Sequence, residues 1–250
     1  MDFIFMLTRG DKTVEDALDV LEQIAPLGLG HIGFKDVGVA PAVLHELTRR
    51  IRAQGAISYM EVVSETPEAC LNSARIGREI GIDRLLGGTD VADVQAILAG
   101  AHTQYYPFPG FPSGHPTTLA GTPEDVARHC AEFRAAGCAG ADLLAYRATE
   151  SDPLDLVRAA RRGLGDGYLV VAGSIASAER IRAVAEAGAD AFTIGTAVFD
   201  GSYNQRKGSQ LSQLSEVIAD CRAVERATAS PDPQCIWPPP PAPPRKGEGA

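Results

Sequence analysis

The chain has 250 residues, of which 45% are hydrophobic and 22% are charged, a balance typical of one globular domain with a sizeable core. Its 23 Lys and Arg residues against 32 Asp and Glu residues give a net charge of −9, which removes the main attraction for nucleic acids and anionic membranes. The composition therefore predicts neither of these partners. A cationic pocket for one small anion is compatible with it.

The cysteines and the first residues predict a cytoplasmic protein. Five scattered cysteines without a C-x-x-C pair indicate reduced thiols. The first segment is apolar for only a few residues and has neither the basic start nor the cleavage site of a secretory signal. No apolar run approaches the roughly 20 residues that a membrane helix needs.

Short apolar runs alternate eight times with segments of helical periodicity before residue 230. This strict alternation predicts a parallel sheet, and eight repeats in this length fit a single (β/α)8 TIM barrel over residues 1–229. A doubly wound open sheet is the alternative. The predicted strands are 2–8, 31–36, 56–64, 83–88, 103–107, 141–147, 168–174 and 190–196. The predicted helices are 13–26, 41–54, 67–80, 91–99, 123–136, 153–162, 178–187 and 209–227.

Glycines mark the predicted helix ends, where a left-handed residue closes the last turn. The pattern G-x-G-x-x-G over 28–33 matches the dinucleotide fingerprint formally, but it precedes a strand, whereas the mechanism requires it between a strand and a helix. We therefore predict no dinucleotide site there. The predicted helix-ending glycines are Gly28, Gly55, Gly81, Gly100, Gly137, Gly163 and Gly188.

The composition changes abruptly after the last predicted helix. Eight of the 17 prolines fall between Pro231 and Pro244. We predict a solvated, disordered Pro-rich tail over 230–250, with a ligand for a proline-recognition module as the alternative.

Barrel enzymes carry their sites at the carboxyl ends of the strands. The last two predicted strands run into small-residue turns, V-V-A-G-S over 170–174 and T-I-G-T-A-V-F over 193–199. Bare backbone N–H groups in such turns, and the start of a short extra helix, bind anions. These turns predict a phosphate site, with close packing and no ligand as the alternative.

The segment V-A-G-S-I-A-S-A-E-R over 171–180, followed by A-G-A-D-A-F-T-I-G-T-A-V-F over 187–199, resembles the ribulose-phosphate-binding barrels. That group includes the histidine-biosynthesis isomerase, N-acetylmannosamine-6-phosphate epimerase and thiamine-phosphate synthase. The resemblance implies that backbone amides at Gly173, Ser174, Gly195 and Thr196 hold a substrate phosphate. Many members have two glycines where this chain has Gly173 and Ser174, which leaves room here for a hydroxyl contact.

Charged residues on the middle strands are the candidates for catalysis. If Ile32 and Phe34 face the helices, the period of two turns Lys35 inward, where it faces Glu61 on the next strand. Asp142 on the sixth strand stands in the same position relative to the barrel. A charge inside a barrel is costly unless it is paired, so these residues either perform chemistry or form a structural ion pair.

Two mouth loops complete the candidate site. Arg147, at the end of the sixth predicted strand, is expected to bind a substrate anion. His115 lies in the longest connection, 107–121, which we predict to be a lid over the mouth. A lone loop histidine is more often exposed and without a role, and entry of His115 into the site as an acid or base is the alternative. The charges of the loop 9–12 are expected to be solvated, with contact to the substrate as the alternative. No His or Cys spacing predicts a zinc site.

These features predict an enzyme that binds a small phosphorylated sugar-like metabolite and transfers a proton next to a carbonyl, as an isomerase or epimerase does. Lys35, Glu61 and Asp142, with Asp36 beside them, are the predicted acids and bases. A lyase that forms a Schiff base on Lys35 and a barrel that only binds a phosphorylated ligand are alternatives. No cofactor is predicted, and Mg²⁺ held by Asp36, Glu61 and Asp142 is an alternative. A small phosphorylated molecule is the expected partner, with a homodimer left open.

Overall fold

The fold is known from a computed structural model that describes residues 1–64 and 66–229. The predicted tail, 230–250, lies outside the described residues. Eight parallel strands form one sheet, in the order β6-β7-β8-β1-β2-β3-β4-β5. They are β1 Asp2–Met6, β2 His31–Lys35, β3 Ile57–Val62, β4 Arg84–Gly87, β5 Gln104–Tyr106, β6 Gly140–Leu143, β7 Tyr168–Val171 and β8 Ala191–Ile194.

The sheet curls into a barrel that is nearly closed between its first and last members. Two backbone hydrogen bonds join β5 to β6, from the N–H of Ala139 to the carbonyl of Tyr105 and from the N–H of Asp142 to the carbonyl of Pro107, each 3.0 Å long. The predicted (β/α)8 barrel is confirmed, and the open doubly wound sheet is not formed.

Helices separate the strands and cover the outside of the barrel. Threonine and aspartate caps before proline start three of them. Thr66, Thr122 and Asp152 each accept hydrogen bonds from backbone N–H groups of the first turn. The helices are α1 Ala17–Ile24, α2 Pro41–Ala53, α3 Pro67–Ile80, α4 Val91–Leu98, α5 Pro123–Ala135, α6 Pro153–Leu164, α7 Ala178–Glu186, α8 Thr196–Phe199 and α9 Gln210–Ala229.

The period of two divides the buried side chains into an outer and an inner core. Ile32 and Phe34 belong to the outer core between strands and helices, whereas Gly33 between them faces the barrel interior. A Cβ on Gly33 would stand 2.5 Å from the Sδ of Met6. The inner core consists of Ile4, Met6, Tyr59, Leu86, Tyr106, Val170 and Ala191.

The amino-terminal end of the barrel is filled by one arginine and three tyrosines, which we term the floor cluster: Arg84, Tyr59, Tyr106 and Tyr168. The guanidinium carbon of Arg84 lies 4.6 Å from the ring centre of Tyr168, 5.3 Å from that of Tyr59 and 5.6 Å from that of Tyr106. Arg84 also donates a 2.8 Å hydrogen bond to the hydroxyl of Tyr59. Stacking and hydrogen bonds thus close this end around a half-buried cation.

Three predicted boundaries need correction. The predicted strand 141–147 ends at Leu143, and Ala145–Arg147 forms a 3-10 turn instead. The predicted helix 13–26 begins only at Ala17, because Thr8–Arg9 and Lys12–Thr13 pair as a two-stranded ribbon. Gly163 lies inside α6 and does not end it. A Cβ at this position would stand 2.2 Å from the carbonyl oxygen of Ala127 on α5, so the close packing of the two helices requires glycine here.

The connection after β5 forms a second ribbon, Phe111–Ser113 with Thr118–Ala120, which leans over the carboxyl ends of the strands. Among the described cysteines, Cys70, Cys130, Cys138 and Cys221 are all free thiols. Over the described chain, no helix combines the length and the apolar composition that crossing a bilayer requires.

Candidate active site

A cavity of about 540 Å³ opens at the carboxyl ends of the strands. Its floor is formed by charged side chains from β2, β3 and the β1 loop, and its wall by the turns after β7 and β8. The tip of the second ribbon, around Thr117, closes it from above. Three predicted charged residues, Lys35, Glu61 and Arg147, and both predicted phosphate turns therefore line the same cavity.

Lys35 and Glu61 meet on the cavity floor as the strand period predicts. The two residues are register partners on β2 and β3, and the Nζ of Lys35 lies 3.3 Å from the Oε2 of Glu61. Each side chain is only 4–5% exposed. The ion pair is therefore largely dehydrated, which strengthens the attraction between its charges.

Asp11 is the third member of this cluster, and it corrects the expectation that the charges of loop 9–12 are solvated. Its carboxylate is buried and accepts a 2.8 Å hydrogen bond from the Nζ of Lys35. Burial acts to raise the pKa of Asp11, but the hydrogen bonds and charges of Arg147 and Lys35 prevail and hold it well below its usual range. Asp11 is thus a fixed anion at the mouth.

Arg147 binds this anion as a fork. Its Nη1 and Nη2 donate to the two carboxylate oxygens of Asp11 at 2.5 and 2.6 Å. The same Nη1 donates to the carbonyl of Thr117, and the N–H of Thr117 donates to Asp11. The arginine predicted to bind a substrate anion thus already holds an internal one, and the ribbon tip is tied to the same pair.

Asp142 lies directly beneath the cavity and is fully buried. Neither of its carboxylate oxygens has a hydrogen-bond partner among the described residues. Burial raises the pKa of Asp142 well above its ordinary value, and the negative charge of Glu61 raises it further. Its burial and the charge of Glu61 therefore favour the protonated form of the Asp142 carboxyl group.

Asp36 is turned away from the other predicted acids. Its carboxylate accepts hydrogen bonds from the backbone N–H of Val63 and from the hydroxyls of Ser64 and Ser73. These bonds tie the loop after β3 to α3. The carboxylates proposed for Mg²⁺ do not converge, and no group of three metal-binding side chains occurs within residues 1–64 and 66–229.

The first predicted phosphate turn has unusual backbone geometry. Gly173 and Ser174 have φ angles of 82° and 58°, both in the left-handed region. A side chain on Gly173 would also collide with Arg147, since its Cβ would lie 2.6 Å from the Nε. Ser174 holds this conformation without the freedom of glycine, so its backbone is strained.

The second turn packs against the loop after β1. A Cβ on Gly195 would lie 2.5 Å from the Oγ1 of Thr8 and 2.8 Å from its carbonyl oxygen, so only glycine fits. The next residue, Thr196, starts the short helix α8 and accepts a 3.3 Å hydrogen bond from the N–H of Gly10. Both turns line the cavity wall on the same side.

His115 is exposed at the tip of the second ribbon and does not line the cavity. The following residues, Pro116 to Thr118, do line it. The ribbon therefore covers the mouth as predicted for a lid, but the residue that closes onto the charged cluster is Thr117 through its backbone.

Sequence reasoning overlooked two charged residues of the cavity. Asp11 belongs to a loop that carries four polar or flexible residues in a row, the pattern of a solvated turn. The signal that identifies it is a balance of charges, because two inward cations, Lys35 and Arg147, need carboxylates nearby. Arg180 on α7 also lines the cavity, and its helical position gave no sign of this.

No protein-family model matches the chain, and no curated protein sequence matches it. Solved structures do match. Orotidine 5'-phosphate decarboxylase from Pyrococcus horikoshii OT3 aligns with a TM-score of 0.58 and 15% identity over 88% of this chain and 99% of that one. The Amycolatopsis orientalis BexX/CysO complex aligns with a TM-score of 0.61 and 20% identity over 94% of each chain. A designed cube-shaped protein cage aligns with a TM-score of 0.64 and 11% identity over 92% of this chain and 76% of that one.

These likenesses concern the fold. They agree with the predicted barrel architecture, and the resemblance of the last strands to the ribulose-phosphate-binding barrels stays a prediction. At 11 to 20% identity, the alignments transfer no catalytic residue to this chain.

Proposed function

We propose that this protein is an enzyme that transfers a proton next to a carbonyl group in a small phosphorylated sugar-like metabolite, as an isomerase or epimerase does. The observation that carries the proposal is one cavity with a dehydrated Lys35–Glu61 pair on its floor and two glycine turns on its wall. The fold shared with a decarboxylase whose name states a phosphorylated substrate supports it. Fold alone does not determine a reaction, so the residues must carry the argument.

The phosphate is held by the turns after β7 and β8. The backbone N–H groups of Gly173, Ser174, Gly195 and Thr196 are the donors in this proposal, and the absence of Cβ atoms at the two glycines lets an anion approach the main chain. Arg147 contributes positive charge from the side of Gly173. A phosphate placed there leaves the rest of a small substrate above Lys35 and Glu61.

The proton is moved by Glu61. Its carboxylate removes the proton from the carbon next to the carbonyl, and the electron pair of the broken C–H bond forms the C=C bond of an enediolate. The Lys35 ammonium, 3.3 Å from that carboxylate, stabilises the negative oxygen that develops. Return of this proton from Glu61 to the former carbonyl carbon, with transfer of the adjacent hydroxyl proton to the former carbonyl oxygen, completes an isomerisation. Protonation of the original carbon by water from the opposite face, with release of the proton on Glu61 to solvent, completes an epimerisation. Asp142 does not line the cavity, so it does not deliver this second proton.

The lyase alternative has weaker support. A Schiff base forms at the Nζ of Lys35, but this atom is already engaged in ion pairs with Asp11 and Glu61. Borohydride treatment with a carbonyl substrate distinguishes the two reactions. A covalent adduct on Lys35 contradicts the proton-transfer mechanism.

Binding is tested by thermal unfolding with sugar phosphates, their unphosphorylated parents and inorganic phosphate. A ligand at 100 times its dissociation constant adds about 2.7 kcal/mol, a shift of several degrees for a chain of this size. We expect phosphorylated compounds to stabilise the wild type and not Ser174→Asp. The control is Ser113→Asp, which adds the same charge at an exposed position outside this cavity. Stabilisation by the unphosphorylated parents alone would refute the phosphate site.

Catalysis is tested by incubating each stabilising compound with the enzyme in D₂O and following deuterium incorporation by NMR. We expect incorporation next to the carbonyl with the wild type and none with Glu61→Gln, which keeps the side-chain shape and the thermal shift. A wild type that binds these compounds but exchanges no proton would be a binding protein, and the catalytic part of the proposal would be wrong.

A further inference from the structure

The turn formed by Gly173 and Ser174 lies between two guanidinium groups. The side chain of Arg147 fills the space where a Cβ of Gly173 would stand. On the other side, the Nη1 of Arg180 donates a hydrogen bond to the carbonyl of Ser174. Arg180 comes from the first turn of α7, three residues after its cap Ser177, and lines the cavity.

The two arginines differ in how their charges are balanced. Arg147 is paired with Asp11, and Lys35 is paired with Asp11 and Glu61. Arg180 forms no ion pair with any described residue. Of the five charged side chains that line the cavity, it is the one whose charge no carboxylate matches.

Tyr146 holds Arg180 in place. The guanidinium carbon of Arg180 lies 4.6 Å from the ring centre of Tyr146, in the 3-10 turn that also carries Arg147. Stacking restricts a side chain that is otherwise exposed, which lowers the entropy lost when it binds a ligand. The guanidinium has five N–H donors, and the bond to Ser174 uses one, so an anion at the turn can be bound without breaking it.

We infer that Arg180 is a substrate-binding residue that selects a phosphomonoester dianion, with its guanidinium held beside the Gly173–Ser174 turn by Tyr146. This inference rests on the proposed function and adds to it the source of charge selectivity. Backbone N–H groups bind any small oxyanion, whereas an unmatched cation beside them favours a dianion over a carboxylate or a neutral group.

The inference is tested with glycerol 3-phosphate, inorganic phosphate, glycerate and glycerol as probes, using calorimetric titration at two salt concentrations. We expect Arg180→Met to weaken binding of glycerol 3-phosphate by about tenfold or more, the usual effect of losing one charge-assisted hydrogen bond. Arg180→Lys keeps the charge and recovers part of the affinity. Tyr146→Leu weakens binding less than Arg180→Met, since it removes only the stacking.

Arg182 provides the matched control, because it lies on the same helix, is exposed and does not line the cavity. Arg182→Met is expected to leave the affinity nearly unchanged. Equal weakening by Arg180→Met and Arg182→Met would show a general effect of charge and overturn the inference, as would unchanged binding by Arg180→Met. If the wild type binds no phosphorylated probe at all, the proposed phosphate site itself is wrong, which is a separate outcome.

Discussion

The two ends of the barrel interior differ in how completely their polar groups are hydrogen-bonded. At the amino-terminal end, the floor cluster surrounds Arg84 with three tyrosine rings, and each tyrosine hydroxyl has a partner: Tyr59 contacts His31 and Arg84, Tyr106 contacts Gln104 and Tyr168 contacts Asp2. At the carboxyl end, Lys35 contacts two carboxylates in an open cavity, and Asp142 below them has no hydrogen bond among the described residues.

The difference shows which buried charge indicates a site. Both ends hold a cation inside the barrel, so burial of charge by itself does not distinguish structure from chemistry. What distinguishes the mouth is an incomplete set of partners beside open space. A complete set at the floor leaves nothing for a ligand to satisfy.

The largest expected effect comes from removing the anion that organises the mouth. Asp11→Ala leaves Lys35 with Glu61 alone and deprives Arg147 of its carboxylate, so we expect a loss of about 3–5 kcal/mol in the free energy of unfolding, as for other broken buried pairs. Urea denaturation of the purified variant measures it. Proteolysis near Thr117 should also accelerate, because the ribbon tip loses its bond to Asp11.

The control for this variant is an ion pair on the surface. Glu46→Ala removes contacts with Arg49 and Arg50 on the exposed face of α2, and its effect should be much smaller. Equal losses from the two substitutions would mean that the mouth cluster is hydrated and the contrast between the ends is wrong.

The next effect is a pH dependence of stability that comes from Asp142. Its pKa is raised in the folded protein, so above the unfolded pKa of about 3.8 the folded state binds more protons than the unfolded one. The free energy of unfolding therefore falls as the pH rises from the unfolded pKa towards the raised folded pKa, by up to about 1.4 kcal/mol per pH unit. Asp142→Asn removes this slope.

Asp11, in the same cluster, contributes a pH dependence of stability of the opposite sign. Its lowered pKa gives stability that is present above the unfolded pKa and is lost as the pH falls below it. We expect Asp142→Asn to gain stability over the wild type as the pH rises from 4 to 7, measured by urea denaturation at each pH. A constant difference across this range would show that folding does not raise the pKa of Asp142.

At the floor, Arg84→Met should cost about 1–2 kcal/mol in the free energy of unfolding, from the lost stacking and the hydrogen bond to Tyr59. Proton exchange at the mouth should stay at the wild-type rate, since the floor cluster contacts no cavity residue of the proposed reaction. Urea denaturation and the D₂O assay on the same preparation provide the two readings. A lost exchange rate with a folded variant would couple the two ends and refute their separation.

The sequence was sufficient for the features that depend on local periodicity. Eight strand–helix repeats predict the barrel, and the period of two predicts Lys35 opposite Glu61, which is the register that the strands adopt. The small-residue turns at the ends of β7 and β8 were likewise visible, because strand ends and glycines are local signals. The reaction and the roles of these residues stay predictions.

The remaining parts of the site depend on contacts between distant segments. Asp11 reaches Arg147 across 136 positions, and the backbone of Thr117 joins them from a ribbon whose inclination no local pattern encodes. The prediction that Asp36 belongs to the charged cluster is wrong because of another contact between distant segments: the hydroxyl of Ser73 on α3 donates a hydrogen bond to its carboxylate. Arg180 and Arg182 are the same residue type on the same helix, and only their different positions around the helix axis place Arg180 in the cavity and Arg182 outside it.

The smallest effect concerns the strained residue of the phosphate turn. Ser174 has a φ of 58°, so Ser174→Gly relieves a left-handed strain of about 1 kcal/mol. Part of this gain is offset, because glycine increases the conformational entropy of the unfolded chain. We expect a net gain of about 0.5 kcal/mol in the free energy of unfolding. Ser113→Gly, at a residue with ordinary φ, should lose stability instead. Because backbone N–H groups hold the anion in our proposal, Ser174→Gly should bind glycerol 3-phosphate as tightly as the wild type, and weaker binding would assign the contact to the hydroxyl.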